Sequence, residues 1–126
     1  MKFNFDVNCD LGEGMANDKA LMALIDSCNI ACGGHAGNEG TMRMCIEAAK
    51  AMGTAIGAHP GFEDPDNFGR VELDLSPDEL SDQLHRQLER MLSMHSGLHH
   101  IKPHGALYHL ANQDPATAAT LTLVIM

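Results

Sequence analysis

Four short apolar segments punctuate this chain, beginning near residues 3, 29, 54 and 98, and a stretch of helical periodicity follows each of the first three. The starts lie 26, 25 and 44 residues apart, the last interval lengthened by a loop over 59–75 rich in Gly, Pro and Asp. Strand–helix alternation at this spacing is the mark of βαβ units, whose strands pair in parallel through right-handed crossovers. The expected fold class is therefore α/β, with repeated βα units and parallel strands. Four such units are half of an eight-fold β/α barrel. A freestanding four-stranded domain is the other reading. Two features favour the half barrel. Leu121–Met126 (LTLVIM) is an apolar run with no capping residue, and four parallel strands standing alone would leave open edges. Residues 1–126 are thus expected to form one incomplete domain, the N-terminal half of a barrel, which should associate through those exposed surfaces.

The element pattern is specific enough to test. Phe3–Asn8 alternates Phe3, Phe5 and Val7 and reads as the first strand. A helix over about 19–27 would share a face of Leu21, Leu24, Ile25 and Cys28. Strands are expected at 29–31, 54–58 and 98–102. A second helix over 41–52 carries Met42, Cys45, Ile46, Ala49 and Met52, with Gly53 at its C-cap. Ser76-Pro77-Asp78-Glu79 combines a capping box with Pro at the first helical position. The helix it opens is expected to bury Leu80, Leu84, Leu88, Met91, Leu92 and His95, to pair Asp82 with Arg86, and to end at Gly97. Asp114-Pro115 begins a last helix.

Charge excludes some functions. With 17 acidic against 8 basic residues the net charge is −9, so the chain has no general attraction for phosphate backbones or anionic lipid. Neither nucleic acid nor a membrane is an expected partner. No secretory signal precedes the first strand, and a cytoplasmic address follows by default. In that setting Cys9, Cys28, Cys32 and Cys45 are expected to stay reduced.

Eight histidines in 126 residues are the first hint of chemistry. Parallel α/β folds build their sites at the C-terminal ends of strands, and each expected strand here ends in reactive residues. Asn8, Asp10 and Glu13 follow the first, Cys32 and His35 the second, His59 the third, and Lys102 and His104 the fourth. Asp10, His35, His59 and His104 are residue types that a zinc-class metal takes; two of these histidines could instead be hydrogen-bonded supports. Cys32 is read as lining the pocket edge, with a nucleophilic role as the rarer alternative. Lys102 either binds an anion or pairs with a carboxylate, and Arg70 either clamps an anionic substrate or is a plain surface residue. Of His99 and His100 at most one can face a barrel interior. His85, His95 and His109 are assigned no chemistry. No Walker-type phosphate loop is present, although Gly33–Gly40 (GGHAGNEG) runs into a helix and could offer backbone amides to a phosphate.

The strings NCDLGEG (8–14), NIACGGHAG (29–37), GAHPGF (57–62), NFGR (67–70) and KPHGALY (102–108) together resemble the LamB/YcsF lactam-utilisation family, whose better-defined members are the A subunits of bacterial 5-oxoprolinases. The resemblance implies a β/α barrel of the glycoside hydrolase/deacetylase type. It also implies ATP-dependent opening of the 5-oxoproline lactam to glutamate, in a complex with subunits B and C, with ATP and a divalent metal (Zn or Mg) as expected cofactors. The motif positions carried over are Asn8, Asp10, Glu13, Asn29, Cys32, His35, His59, Arg70, Lys102 and His104. Asp10, Glu13, His59, Lys102 and His104 are expected to be catalytic. Asn8, Asn29, Cys32 and Arg70 are expected to bind substrate. Asp10, His35, His59 and His104 are the expected metal ligands. Gly34 stands where an aromatic is common, and Asn38 where Asp is. Family members are about twice this length, so the remaining strand ends of a full site are not in this chain. Two rival functions share the residue set: a metal-dependent carbohydrate or amide deacetylase working without ATP, and a non-catalytic metal-binding protein. Scarce aromatics weigh against the first, irregular histidine spacing against the second.

Overall fold

The structure is a computed structural model that describes residues 4–126. Its sheet has four strands in the order β1 (Asn8–Leu11), β2 (Ser27–Ala31), β3 (Ala55–His59) and β4 (His100–Ile101), each parallel to the next. Between them run α1 (Asp18–Met22), α2 (Glu39–Met52) and α3 (Pro77–Met94), and after β4 come α4 (Gly105–Gln113) and α5 (Pro115–Ile125). Consecutive strands pair in chain order, as successive units of a β/α barrel do. The α/β class expected from the rhythm is the one found.

One face of the sheet is apolar. Leu11, Cys28, Ile30, Ile56 and Ala58 pack under Met42, Cys45, Ile46 and Ala49 of α2 and Leu88 and Met91 of α3. Each large aliphatic side chain fully buried there is worth about 1.5–3 kcal/mol. A second cluster joins Phe62, Leu80 and Leu84 to Leu107 of α4 and Leu121 of α5. The caps of α2 and α3 follow from local chemistry. Asn38 and Thr41 bond reciprocally at the start of α2, Gly53 ends it in the left-handed region (φ 70°), and Ser76 and Glu79 cap α3 in the same reciprocal way.

Several sequence expectations need correction. The first strand is NCDL, not FNFDVN: Phe3 lies outside the described residues, and Phe5 and Val7 are 75% and 50% exposed. Helix α1 stops at Met22, because Asp26 must cross back to bond Val7 and bring Ser27 into register with Asn8. Leu24 is consequently exposed. Helix α3 ends at Met94, where His95 turns extended, and Leu92 faces solvent. Arg86 pairs not with Asp82 but with Glu63, 2.7 Å away in the long loop. Helix α4 has no counterpart in the expected elements, and β4 shrinks to two residues.

Candidate active site at the strand ends

The other face of the sheet is polar, and its register builds the site. Asp10, Asn29, Gly57 and His100 occupy one row across the four strands. Asn29 is fully buried and sits at the centre. Its Nδ2 donates to Asn8 Oδ1 (2.5 Å) and Asp10 Oδ1 (2.8 Å), while its Oδ1 accepts from Asn8 Nδ2 (3.1 Å) and His100 Nε2 (2.5 Å). Gly57 makes the last bond possible, because a Cβ there would run into the His100 ring. His99 stays exposed and bonds His100 Nδ1 from outside.

Above this row three imidazoles meet one carboxylate. His35 comes from the loop after β2, His59 ends β3 and His104 precedes α4, all buried. His35 Nε2 lies 2.9 Å from Glu13 Oε1, and the same oxygen is 3.6 Å from His59 Nε2 and 3.7 Å from His104 Nδ1. His59 Nε2 and His104 Nδ1 are 3.1 Å apart. Backbone carbonyls orient two of the rings. His59 Nδ1 donates to Lys102 O (2.7 Å), and His104 Nε2 donates to Phe68 O (2.8 Å). Phe68 supplies that carbonyl from a left-handed backbone (φ 54°), a conformation costly for a bulky residue. The His35 and His104 rings stack at 3.6 Å, and glycines at 61 and 69 leave them room: a Cβ at 69 would meet both. Burial, then the neighbouring His35, pushes His104 below its ordinary value, which favours the neutral ring.

Asp10 leans against this group on its open side, 3.4 Å from His59 Nε2, and takes both hydrogen bonds of Lys102 Nζ (2.9 and 3.2 Å). Burial alone would raise its carboxyl. Hydrogen bonds involving His59, Asn29 and Lys102 outweigh that and hold it well below the usual carboxylate range. Glu13 is lowered the same way, burial being overcome chiefly by His35. Both groups are therefore anionic at neutral pH. A cleft of about 340 Å³ opens over Asp10, His59, Lys102 and His104, with Arg70, Tyr108 and His109 at its rim. The Arg70 guanidinium lies 5.0 Å over the Phe68 ring and has no ion-pair partner among the described residues.

The geometry thus gathers Asp10, Glu13, His35, His59, Lys102, His104 and Arg70 at one end of the sheet. Asn8 and Asn29 lie beneath the cleft, bonded to one another. Cys32 is elsewhere. Its side chain is fully buried in the apolar core, away from the cleft lining, and burial pushes its thiol up to about 11, which disfavours the thiolate. All four cysteines are free thiols. Glu13 stands with the three histidines where the sequence pattern places Asp10. The glycine-rich loop does not fit a phosphate: α2 begins with exposed Glu39, whose charge repels an anion, and Asn38 takes up the Thr41 amide.

Sequence reading missed Gln87. This fully buried side chain of α3 bonds both the amide and the carbonyl of Gly61 (3.1 and 2.8 Å), pinning the loop behind His59, and it fills the space that Gly34 leaves open. The available signal was a lone polar residue inside the stripe Leu80, Leu84, Leu88, Met91. Arg90, one turn on, anchors the Cys32 carbonyl (2.8 Å). Tyr108 was missed because α4 was, and His109, which was assigned no chemistry, stands at the cleft rim.

Comparison with known proteins places the chain's family and fold. Residues 5–126 match the LamB/YcsF family model. The chain is 43% identical over 129 aligned residues to the 5-oxoprolinase A subunit of Brevibacillus brevis, covering 95% of this chain and 51% of that one. It superposes on the crystal structure of a lactam utilization protein from Thermus thermophilus with a TM-score of 0.92 and 39% identity, covering 98% of this chain and 53% of the other. The chain thus spans about half the length of the relatives it matches.

Proposed function

This chain belongs to the LamB/YcsF family, and from that premise we propose that it is the N-terminal half of the barrel of a 5-oxoprolinase A subunit. In the assembled enzyme, with subunits B and C, it would open the 5-oxo-L-proline lactam to L-glutamate in a reaction coupled to ATP hydrolysis. The observation that supports this most is the pairing of an ionised, Lys102-held Asp10 with an unpaired Arg70 across one cleft.

An amide in an unstrained five-membered ring is a poor electrophile, and ATP supplies the activation it lacks. The described residues form no phosphate cradle, so the nucleotide step is not assigned to them. Their part is the hydrolytic half. Arg70, at the rim, takes the carboxylate of 5-oxoproline in a bidentate grip. Asp10, held in place and ionised by Lys102 and Asn29, accepts a proton from the attacking water. The proton that Asp10 has taken passes to the ring nitrogen as the C–N bond breaks, beside His59 and His104 in the same cleft.

The deciding experiment is ADP release by the complete protein with subunits B and C, with and without 5-oxoproline. Lactam-dependent ADP release that Asp10→Asn reduces by about 100-fold or more is expected. Turnover indifferent to that change would remove Asp10 from the mechanism. Amide hydrolysis without ADP release would favour a metal-dependent deacetylase, the reading that the His/Glu cluster also supports.

A further inference from the structure

We propose that Glu13, His35, His59 and His104 form a four-ligand site for a zinc-class divalent metal, with Asp10 outside the coordination shell. The site is defined by geometry and does not depend on the lactam reading.

Lone pairs conflict at the centre of this cluster. A backbone carbonyl can only accept, so His59 carries its hydrogen on Nδ1, facing Lys102 O, and His104 carries its own on Nε2, facing Phe68 O. The nitrogens left over, His59 Nε2 and His104 Nδ1, then point bare lone pairs at one another across 3.1 Å. The carboxylate oxygens of Glu13 and Asp10 face the same His59 nitrogen at 3.6 and 3.4 Å. Acceptors crowded together in a buried place need a cation between them.

The shape of the group fits such a cation. Four of the six separations among these donor atoms are 2.9, 3.1, 3.6 and 3.7 Å. They bracket the edge of about 3.3 Å that a tetrahedron has when metal–ligand bonds are about 2.0–2.1 Å. All four donors lie within 4.8 Å of one another. His35 is held differently: its Nδ1 is buried with no hydrogen-bond partner among the described residues, so its ring is oriented by Nε2 facing Glu13. A hydrogen bond from the far ring nitrogen to a carbonyl, like those of His59 and His104, is the usual way a ligating imidazole is held.

Donor chemistry selects the metal. Three imidazoles and one carboxylate suit Zn²⁺ and its first-row neighbours, whereas Mg²⁺ takes oxygen ligands and retains water. Charge agrees: Glu13 and Asp10 against Lys102 leave one negative charge in excess beside the rings. Asp10 is already engaged by Lys102 and Asn29. Glu13, whose one hydrogen bond among the described residues is to His35, is left as the carboxylate ligand.

The test is metal uptake by chelator-stripped protein, followed by calorimetry with Zn²⁺ and by visible absorption with Co²⁺. One equivalent of each per chain is expected, with the intense d–d bands of four-coordinate cobalt, and no competition from millimolar Mg²⁺. Glu13→Gln and His59→Ala should each weaken uptake by about tenfold or more, while Asp10→Asn shifts it less than about threefold. Circular dichroism of each variant guards against a mere loss of folding; should His59→Ala unfold, Glu13→Gln, nearly isosteric, carries the test. Folded protein that takes up neither metal would overturn the site and leave a shared proton between His59 and His104. Uptake insensitive to Glu13→Gln, or abolished by Asp10→Asn, would overturn the ligand assignment.

Discussion

Asn29 shows how one buried amide can hold a site together. It commits both amide hydrogens and its carbonyl to Asn8, Asp10 and His100. Asn29→Ala would strand these groups, at about 1–3 kcal/mol for each that water cannot reach; urea unfolding should show the loss. Lys102 is different, being half-exposed. Lys102→Met should cost at most about 1 kcal/mol of stability, as an exposed pair does, yet slow lactam-dependent turnover of the assembled enzyme by about 100- to 1000-fold, because Asp10 loses its counter-charge. Near-normal turnover would make the pair purely structural. The acid side follows from the depressed Asp10 carboxyl. A carboxyl whose folded value is below its unfolded one contributes stability that is complete above about pH 4 and is lost as pH falls further. The stability gap between the wild type and Asp10→Asn should accordingly be flat from neutrality to about pH 5 and close below about pH 4. The residues of this site were legible in the sequence because they cluster at strand ends. What was not legible was the division between them: that Glu13 meets all three histidines while Asp10 meets only His59 depends on a turn at Gly12 (φ 76°), which no spacing rule gives.

At the scale of elements, the caps at Gly53, Ser76 and Asp114 were read correctly because each is a local rule, whereas α3 stops short of Gly97. Ser76→Ala removes the half of the α3 capping box in which the Glu79 amide donates to Ser76 Oγ, leaving the Ser76 amide bonded to Glu79, and should lower stability by about 1 kcal/mol, a shift that thermal unfolding resolves. The errors arose where tertiary demands override local pattern. FNFDVN alternates well, but the true β1 is NCDL, since in this sheet the row facing the site is polar (Asn8, Asp10) and the row facing the helices is Cys9 and Leu11. Alternation is present in NCDL with its inward face inverted from the usual expectation. Helix α4 escaped notice because it opens at Gly105, in a left-handed conformation, with His104 as an N-cap that makes no side-chain bond to the helix. His104 is committed instead to Phe68 and the site. The start of that helix answers to chemistry, not to capping.

At the scale of the molecule, the sheet has two unpaired edges among the described residues, β1 and β4. A groove of about 390 Å³ runs along the β4 side, lined by Leu88, Leu92, Leu98, Ile101, Val124 and Ile125. Nearby Leu123 is 74% and Met126 93% exposed. No helix among the described residues is long and apolar enough to cross a membrane. A closed β/α barrel pairs both edge strands and covers such a face with its next βα unit. Contiguous apolar patches above a few hundred Å² are rare on soluble monomers, and open parallel edges invite pairing with another chain. Residues 1–126 expressed alone should therefore sediment as oligomers or aggregates at about 100 µM. A chain of the relatives' full length should be monodisperse under the same conditions. Substituting Lys at Leu92 and Leu123, both on the surface of this region, should shift the short chain toward monomer without unfolding it. A short chain that already sediments as a monomer and melts cooperatively would mean that four βα units suffice, and that the groove beside β4 is ordinary surface.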